Sequence, residues 1–484
     1  MTARLSKIVK RDLGVDPEIA GVTADSRKVG PGFLFAALPG SRADGATFAA
    51  KAVEAGAAAV IADQDLNLAV PTIVCRDPRR GYALAAANFW GRQPQTCVAV
   101  TGTNGKTSVA NFCRQIFAGA GHVSASMGTL GLTVSRPDGA VDQLTPPGLT
   151  TPDAGDVAEL LARISQMGVT HFAMEASSHG IDQRRLDGVR LAASGFLNLT
   201  QDHLDYHVTM DAYLKAKLRL FEQLMPRGAT AVLNADNEAF PFFAAASVVS
   251  GQRVMSVGET GQALKLLARE LLPDGQRLQV RAEGRVFDMR LPLAGDFQAS
   301  NALVAAGLCK AAGLSYEEAF AGLEKLTGVA GRLQRVGTTG HGGEAYVDYA
   351  HTPDGLETVL KALRPHVRGK LVVVFGAGGD RDKTKRPLMG QVAAKFADVA
   401  IVTDDNPRTE VAATIRAEVL AGAKGAKEIG DRREAIRAAA AMLQDGDILV
   451  VAGKGHEQGQ IVGDVVHPFD DVAETARALE LVHG

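Results

Sequence analysis

The stretch Thr101-Gly102-Thr103-Asn104-Gly105-Lys106-Thr107-Ser108 decides how the rest of the chain is read. An apolar run, Cys97-Val98-Ala99-Val100, precedes it and reads as a buried strand. Residues 109–117 follow it and read as a helix. Strand, glycine-rich turn, Lys-Thr and helix together make a phosphate cradle. Glycine lets backbone N–H groups approach an anion, and the helix N-terminus adds positive potential. Lys106 can reach the outer phosphates of a nucleotide, and the Thr107 hydroxyl can hold Mg2+. The general spacing asks for a glycine at position 100, where this chain has Val100, so the loop is a shortened variant.

A chain of 484 residues is too long for one ordinary domain and suggests about three. Its 46% hydrophobic residues suit globular domains with proper cores. A formal net charge of −2 provides no global basic field for nucleic acid or an anionic membrane. Cys75, Cys97, Cys113 and Cys309 are scattered without metal-ligand spacing and read as reduced thiols of a cytosolic protein. The start, Met1-Thr2-Ala3-Arg4-Leu5-Ser6-Lys7, has no apolar h-region, so no signal peptide is expected and the location is expected to be cytoplasmic. No apolar run is long enough to span a membrane.

The first part of the chain, residues 1–92, reads as a small α/β region with a strand at 57–62 and helical spacing over 45–56. Ser26-Arg27 and Asp44-Gly45 taken alone read as surface turns. The polar, Pro-containing break at 91–95 reads as a linker. In residues 93–330, apolar strands repeatedly empty into polar clusters: Val100 into the phosphate loop, 171–174 into Glu175, 195–197 into Asn198 through His203, and 231–233 into Asn234. Strands alternating with helices predict a largely parallel sheet, with ligands beyond the carboxyl ends of the strands. That places Lys106, Glu175 and His203 around one crevice, with Glu175 and His203 as candidate Mg2+ ligands. Capping or a surface position is the other reading of His203. The helix expected over 210–221 carries Lys215 and Lys217, which read as a solvated basic face. Asn301, near the start of a helix expected over 296–307, suits a ligand, a cap or packing equally. In residues 331–484 the strands at 371–375, 399–402 and 448–451 also end in polar loops, so Arg381, Arg408 and Glu457 are expected on one rim. Two arginines and a glutamate suit a zwitterionic substrate with a carboxylate.

Together the motifs closely resemble the Mur ligase family, the ATP-dependent amide ligases of bacterial cell-wall synthesis. The resemblance runs over nearly the whole chain: Asp25-Ser26-Arg27, Gly102 to Thr107, Glu175-Ala176-Ser177-Ser178-His179-Gly180, Asp202-His203-Leu204-Asp205-Tyr206-His207, Asn301, Gly331-Arg332 and Asp348-Tyr349-Ala350-His351. Asp405-Asn406-Pro407-Arg408 looks like the signature of the member that adds meso-diaminopimelate; lysine-adding members differ there.

The resemblance implies an α/β fold in three domains. A smaller N-terminal domain (1–92) would bind the UDP-substrate. A central phosphate-loop NTPase-like domain with a mostly parallel sheet (93–330) would bind ATP. A Rossmann-like C-terminal domain (331–484) would bind the amino acid. The implied substrates are ATP, UDP-N-acetylmuramoyl-L-alanyl-D-glutamate and meso-diaminopimelate, joined through an acyl phosphate with Mg2+. A monomer is expected. By the same resemblance, Gly102, Thr103, Asn104, Gly105, Lys106, Thr107, Ser108, Asn301, Arg332 and Asp348 would hold ATP. Ser26, Ser41, Asp44, Gly45, Thr150, Thr151, Ser177, Gln183 and Arg185 would hold the UDP-substrate. Arg381, Asp405, Asn406, Pro407, Arg408, Gly453 and Glu457 would hold diaminopimelate. Thr107, Glu175, His203 and Lys217 would hold the metal. Tyr213, Ala216, Lys217, Leu220 and Phe221 match the segment whose lysine is carbamylated in the family, which assigns Lys217, not Lys215, as N6-carboxylysine and replaces the reading of a solvated face. Lys106, Lys217 and His203 are then the catalytic set. Gln334 departs from the family pattern, where a glutamate often follows the Gly-Arg pair. The competing readings are a lysine-adding or folylpolyglutamate-forming sister ligase, and a phosphate-loop kinase or NTP-driven binding module.

Overall fold

The computed structural model describes residues 2–40, 44–145, 150–200, 202–272 and 275–482. Ser41 lies outside the described residues. The chain divides into two compact units. The first comprises Met1–Leu266, Val280–Val286 and Ser300–Leu323; the second comprises Leu267–Gln279, Phe287–Ala299 and Glu324–Gly484.

Among the described residues, the first unit carries a two-stranded ribbon, Ala3–Arg4 with Glu18–Ile19, and two larger sheets. The smaller is fully parallel, in the order Gly21–Thr23, Phe33–Ala36, Ala57–Ala62, Thr72–Val74. The helix Pro78–Trp90 packs on it through Tyr82, Ala83, Ala85 and Phe89. That helix starts well because Asp77 caps it and Pro78 needs no N–H in the first turn.

In the larger sheet, Thr96–Thr101 lies between His171–Glu175 and Leu191–Phe196, and all three run parallel. Ser124–Gly128 continues the parallel set on one side, and Thr230–Asn234 and Arg253–Gly258 on the other. Gly131–Ser135 and Val141–Thr145 close the near edge as an antiparallel meander. The sheet runs on through Leu264–Leu272, Gly275–Ala282 and Arg285–Leu291, and the division between units falls within these three strands. The central strands are buried along almost their whole length and mainly apolar, as strands covered on both faces are. Cys97, Ala99, Phe172, Met174 and Phe196 fill one side of this core.

The second unit has a sheet in the order Gln334–Thr338, Glu344–Asp348, Ile448–Ala452, Leu371–Phe375, Val399–Val402, Lys427–Glu428. Only the first pair is antiparallel. Two apolar layers flank it, one around Leu356, Leu360 and Met389, the other around Ile436, Ala439 and Leu479. In both large sheets the polar clusters sit at the carboxyl ends of the parallel strands. No helix among the described residues is long and apolar enough to cross a membrane.

Candidate active site

The strand Thr96–Thr101 delivers the chain to Gly102, and the helix Lys106–Gly119 starts at Lys106 with Gly105 as its cap at φ 86°. That left-handed conformation suits glycine. Asn301 packs directly against Gly105, in the space a side chain there would fill. Lys106 Nζ donates to the carbonyls of Gly102 (2.9 Å) and Thr103 (2.7 Å), so its charge is held over the loop. Thr107 and Ser108 are buried in the first helical turn. The loop is braced by Asn198, whose Oδ1 accepts from the backbone N–H groups of Thr103 (3.1 Å) and Asn104 (2.9 Å). Sequence reasoning gave Asn198 no role. Its position after a strand was visible, but not that it reaches back across the sheet.

The helix Met210–Arg219 places Tyr213, Ala216 and Lys217 inward. Lys217 is only 1% exposed, and its Nζ donates to the Gly102 carbonyl at 2.8 Å, the same oxygen that Lys106 uses. Burial, reinforced by the nearby Lys106 charge, pushes its amine well below the ordinary lysine range. Lys215 is exposed and paired with Asp211 at 2.8 Å, which holds its pKa up. The solvated-face reading therefore fits Lys215 and fails for Lys217, because tertiary packing, not helix periodicity, buries the latter. The helix gives way at Leu220 to a π-turn, Leu220–Leu224, which buries Leu220 and Phe221.

Tyr213 ties this helix to the loop. Its hydroxyl lies 3.3 Å from Thr103 Oγ1, and its ring lies 4.4 Å from Lys217 Nζ. His203 sits at φ 54°, edge-on to Tyr213 with ring centroids 5.9 Å apart, and its Nε2 is 3.4 Å from Asp202. Glu175 ends its strand buried and accepts from the Thr129 N–H at 2.8 Å. A Cβ on Gly128 would lie 1.9 Å from Glu175 Oε1, so glycine there makes room for the carboxylate. Gly128→Ala should displace Glu175 and lower turnover by ~10²-fold, the scale of a displacement of about 1 Å at a working group. Steady-state kinetics beside a melting curve tests this, and unchanged turnover would mean that the position of Glu175 is not critical.

Among the described residues no three His, Cys, Asp or Glu side chains gather as a ready cation site. Thr107, Glu175 and His203 offer hydroxyl, carboxylate and imidazole donors, while a Lys217 ammonium would repel a cation. Conversion of Lys217 to a carbamate would remove that conflict and add anionic oxygens, and with the Thr107 hydroxyl and Glu175 carboxylate these oxygens would suit Mg2+.

In the same unit a cavity of about 820 Å³ opens between the small sheet and the helix Ala154–Gln166. Its wall includes Ser26, Gly45, Phe33, Phe35, Tyr82 and Asp153. Ser26 and Asp44-Gly45, which alone read as surface turns, start two 3-10 turns capped by Asp25 and Asp44. A smaller adjoining pocket shares Leu38, Tyr82 and Asp153 and adds Arg79, Gln183 and Arg185. Behind it runs one hydrogen-bonded network. Arg185 donates to Thr151 O (2.6 Å) and Gln183 Oε1 (2.7 Å), Thr151 Oγ1 meets Ser177 Oγ (3.0 Å), and Thr150 Oγ1 meets Thr129 Oγ1 (3.0 Å). The structure thus gathers Thr151, Ser177, Gln183 and Arg185, and Tyr82 and Asp153, joined at 2.7 Å, line both the small pocket and the large cavity. Tyr82, Asp153 and Arg79 were not anticipated; a lone tyrosine on an apolar helix face reads as core.

In the second unit, Asp348 accepts from the N–H groups of Leu333 (2.7 Å) and Ala350 (2.8 Å). Arg332 lies over the Tyr349 ring at 5.1 Å. Gln334 Oε1 accepts from the Gly331 N–H at 2.9 Å, a task that a glutamate oxygen would perform equally. Gly453 N–H donates to Asp348 O at 3.0 Å, bringing the ends of two strands together. Arg408, at φ 53°, donates through Nη1 to Gly379 O (2.8 Å), and Arg381 stands beside it, both flanking Gly378. The Pro407 carbonyl accepts from Glu410 N–H and closes this turn. Asn406 Nδ2 donates to Glu457 at 3.0 Å. Lys454, to which sequence reasoning gave no role, is fully buried beneath them, 3.3 Å from the Asp405 carboxylate. Three cations, Arg381, Arg408 and Lys454, and two carboxylates, Asp405 and Glu457, thus gather in one polar cluster.

The comparisons with known proteins cover most of this architecture. A Mur ligase family catalytic domain matches residues 18–87, a Mur ligase middle domain 100–309, and a Mur ligase glutamate ligase domain 331–455. The chain is 68% identical over 482 residues to the UDP-N-acetylmuramoyl-L-alanyl-D-glutamate–2,6-diaminopimelate ligase of Caulobacter vibrioides, with 99% of both chains covered. It is 53% identical over 468 residues to the ligase of the same name from Agrobacterium fabrum, covering 96% of this chain and 94% of that one. A solved structure of a UDP-N-acetylmuramoyl-L-alanyl-D-glutamate–2,6-diaminopimelate ligase is 34% identical, covers 100% of both chains and superposes with a TM-score of 0.78. With likeness of this extent over its whole length, the chain belongs to the Mur ligase family.

Proposed function

We propose that this chain is an ATP-dependent, ADP-forming ligase that adds meso-2,6-diaminopimelate to UDP-N-acetylmuramoyl-L-alanyl-D-glutamate in peptidoglycan synthesis. The D-glutamate carboxylate attacks the γ-phosphorus of ATP, ADP leaves, and an acyl phosphate forms. The amine of diaminopimelate then attacks the acyl carbon, phosphate leaves, and the amine gives up a proton. Lys106 and the backbone N–H groups of the loop neutralise phosphoryl charge, the task on which such reactions chiefly depend. Asn301, Arg332 and Asp348 complete ATP binding. The large cavity with Ser26 and Gly45 takes the uridine nucleotide, and Thr151, Ser177, Gln183 and Arg185 take the peptide end. Thr107, Glu175, His203 and carbamylated Lys217 would hold Mg2+, which supplies further positive charge to the phosphates when bound. Three domains, 1–92, 93–330 and 331–484, divide these tasks, and the enzyme works as a cytoplasmic monomer.

The observation that carries the choice of amino acid is the Asn406–Glu457 pair at 3.0 Å beside Arg381 and Arg408. After one amine has reacted, diaminopimelate still carries a distal carboxylate and ammonium. Arg408 offers a planar fork to the carboxylate, and Glu457 an oxygen to the ammonium. Lysine lacks the distal carboxylate and would leave the fork unmatched, at a cost of roughly 2–5 kcal/mol. Each 1.4 kcal/mol is about tenfold, so kcat/KM for lysine should fall about 10²-fold or more below that for meso-diaminopimelate. Arg408→Ala should shrink this gap, mainly by harming the diaminopimelate reaction. Both specificity constants, in wild type and variant, provide the test; equal use of the two amino acids by the wild type would refute the assignment.

A further inference from the structure

We infer that Lys454 is a positioning residue that sets how the polar cluster of the second unit reads the distal end of the incoming amino acid. The inference rests on the reading of that cluster as the diaminopimelate site. Lys454 has a side chain 0% exposed, so its ammonium meets only protein groups. It donates to Asn406 Oδ1 at 2.7 Å and to Gly459 O at 2.9 Å, and it lies 3.3 Å from Asp405 and 4.0 Å from Glu457.

An asparagine amide can be turned either way, and its neighbours decide which end faces where. Asn406 Oδ1 also accepts from the backbone N–H of Ile461 at 3.0 Å. Two donors therefore converge on Oδ1, and the opposite orientation would set Nδ2 against both. With Oδ1 taken, Nδ2 must face Glu457, where one of its hydrogens makes the 3.0 Å bond and the other is left for a ligand carboxylate. Lys454 also balances two carboxylates, Asp405 and Glu457, that would otherwise repel each other beside the site. Its bond to Gly459 O ties in the ribbon Gly459–Val462, whose Ile461 carbonyl accepts from Arg408 N–H. One buried cation thereby fixes the donor of Asn406, the acceptor of Glu457 and the backbone behind Arg408.

The test uses the full chain with saturating ATP and UDP-substrate and varied meso-diaminopimelate. Lys454→Met keeps the length and removes the donor; Lys454→Gln keeps an N–H donor without charge. Lys454→Met should raise KM for diaminopimelate about tenfold or more, the scale of one lost charge-assisted hydrogen bond, with kcat within about threefold. Lys454→Gln should fall between it and wild type. In an Asn406→Ala background, Lys454→Met should raise KM by a smaller factor than it does alone, because part of its effect passes through Asn406. An unchanged KM, a loss of kcat at constant KM, or full additivity with Asn406→Ala would each overturn the inference. If Lys454→Met does not fold, Lys454→Gln carries the same comparison in both backgrounds under the same criteria. Wild type that fails to turn over diaminopimelate would overturn the reading of the site itself, and with it this inference; a wild type that turns over beside an indifferent variant overturns only the role of Lys454.

Discussion

Lys106→Ala is expected to lower kcat/KM by about 10²-fold or more, the scale on which removal of one preorganised charge stabiliser acts. The reason lies in where the ammonium already is. It is held by two loop carbonyls, at 2.9 and 2.7 Å, before any nucleotide arrives, so no reorganisation is needed as negative charge moves between phosphate oxygens. Alanine leaves the loop backbone in place, because Asn198 and Asn301 brace it independently. The variant should therefore keep its melting temperature and its affinity for the UDP-substrate while losing ADP release. Turnover near that of wild type would remove Lys106 from the reaction.

The parallel strands were legible for a physical reason. A strand covered on both faces must be apolar at every position, so Leu371–Phe375, Val399–Val402 and Ala57–Ala62 could be read from the sequence at their observed bounds. Their carboxyl ends are where an α/β sheet exposes loops, so Lys106, Glu175, Asn406 and Glu457 were found at polar runs following such strands. The ribbon Gly459–Val462 with Val465–Pro468 escaped notice, because it is half-exposed and has no continuous apolar run.

The side chains that sequence missed share another property: each acts through a partner far away along the chain. Asn198 braces a loop 94 residues upstream, Tyr82 meets Asp153 across 71 residues, and Lys454 meets Asn406 across 48. Local pattern carries no record of such meetings. Arg408 was legible as a charge after a strand, but its φ of 53° and its tether to Gly379 O were not. Gln334 looked like a departure that put nearby contacts in doubt. Its Oε1 nevertheless caps Gly331 N–H, because only an oxygen acceptor is needed there.

Lys217→Ala is expected to be inactive within the detection of a coupled ADP assay, whereas Lys215→Ala should behave nearly as wild type. The two lysines share a helix turn but not an environment. Lys215 stands in water beside Asp211, and exposed pairs of this kind contribute little. Lys217 is sealed beneath Tyr213 with its nitrogen on Gly102 O, and burial beside Lys106 favours its uncharged amine. An uncharged amine is the form that adds to CO2: its lone pair makes the C–N bond, a C=O π pair moves to oxygen, and the nitrogen releases one proton to leave the carbamate. The product carries a negative charge next to the Lys106 ammonium, so the positive neighbour that disfavours protonation of Lys217 favours its carbamate. Carbamylation would change the sign of the charge at that point, from a group that would repel Mg2+ to one that would supply oxygens for it. Two readouts separate this from a structural role of the side chain. Wild type incubated with carbon-13 bicarbonate should show a carbamate resonance that Lys217→Ala lacks and Lys215→Ala keeps. Short carboxylic acids added to Lys217→Ala should restore part of the turnover by placing oxygens in the vacated space, and should do nothing for Lys106→Ala. If Lys215 proved essential and Lys217 dispensable, the assignment of the modified lysine would be refuted. A carbamate signal that survives Lys217→Ala would refute it equally.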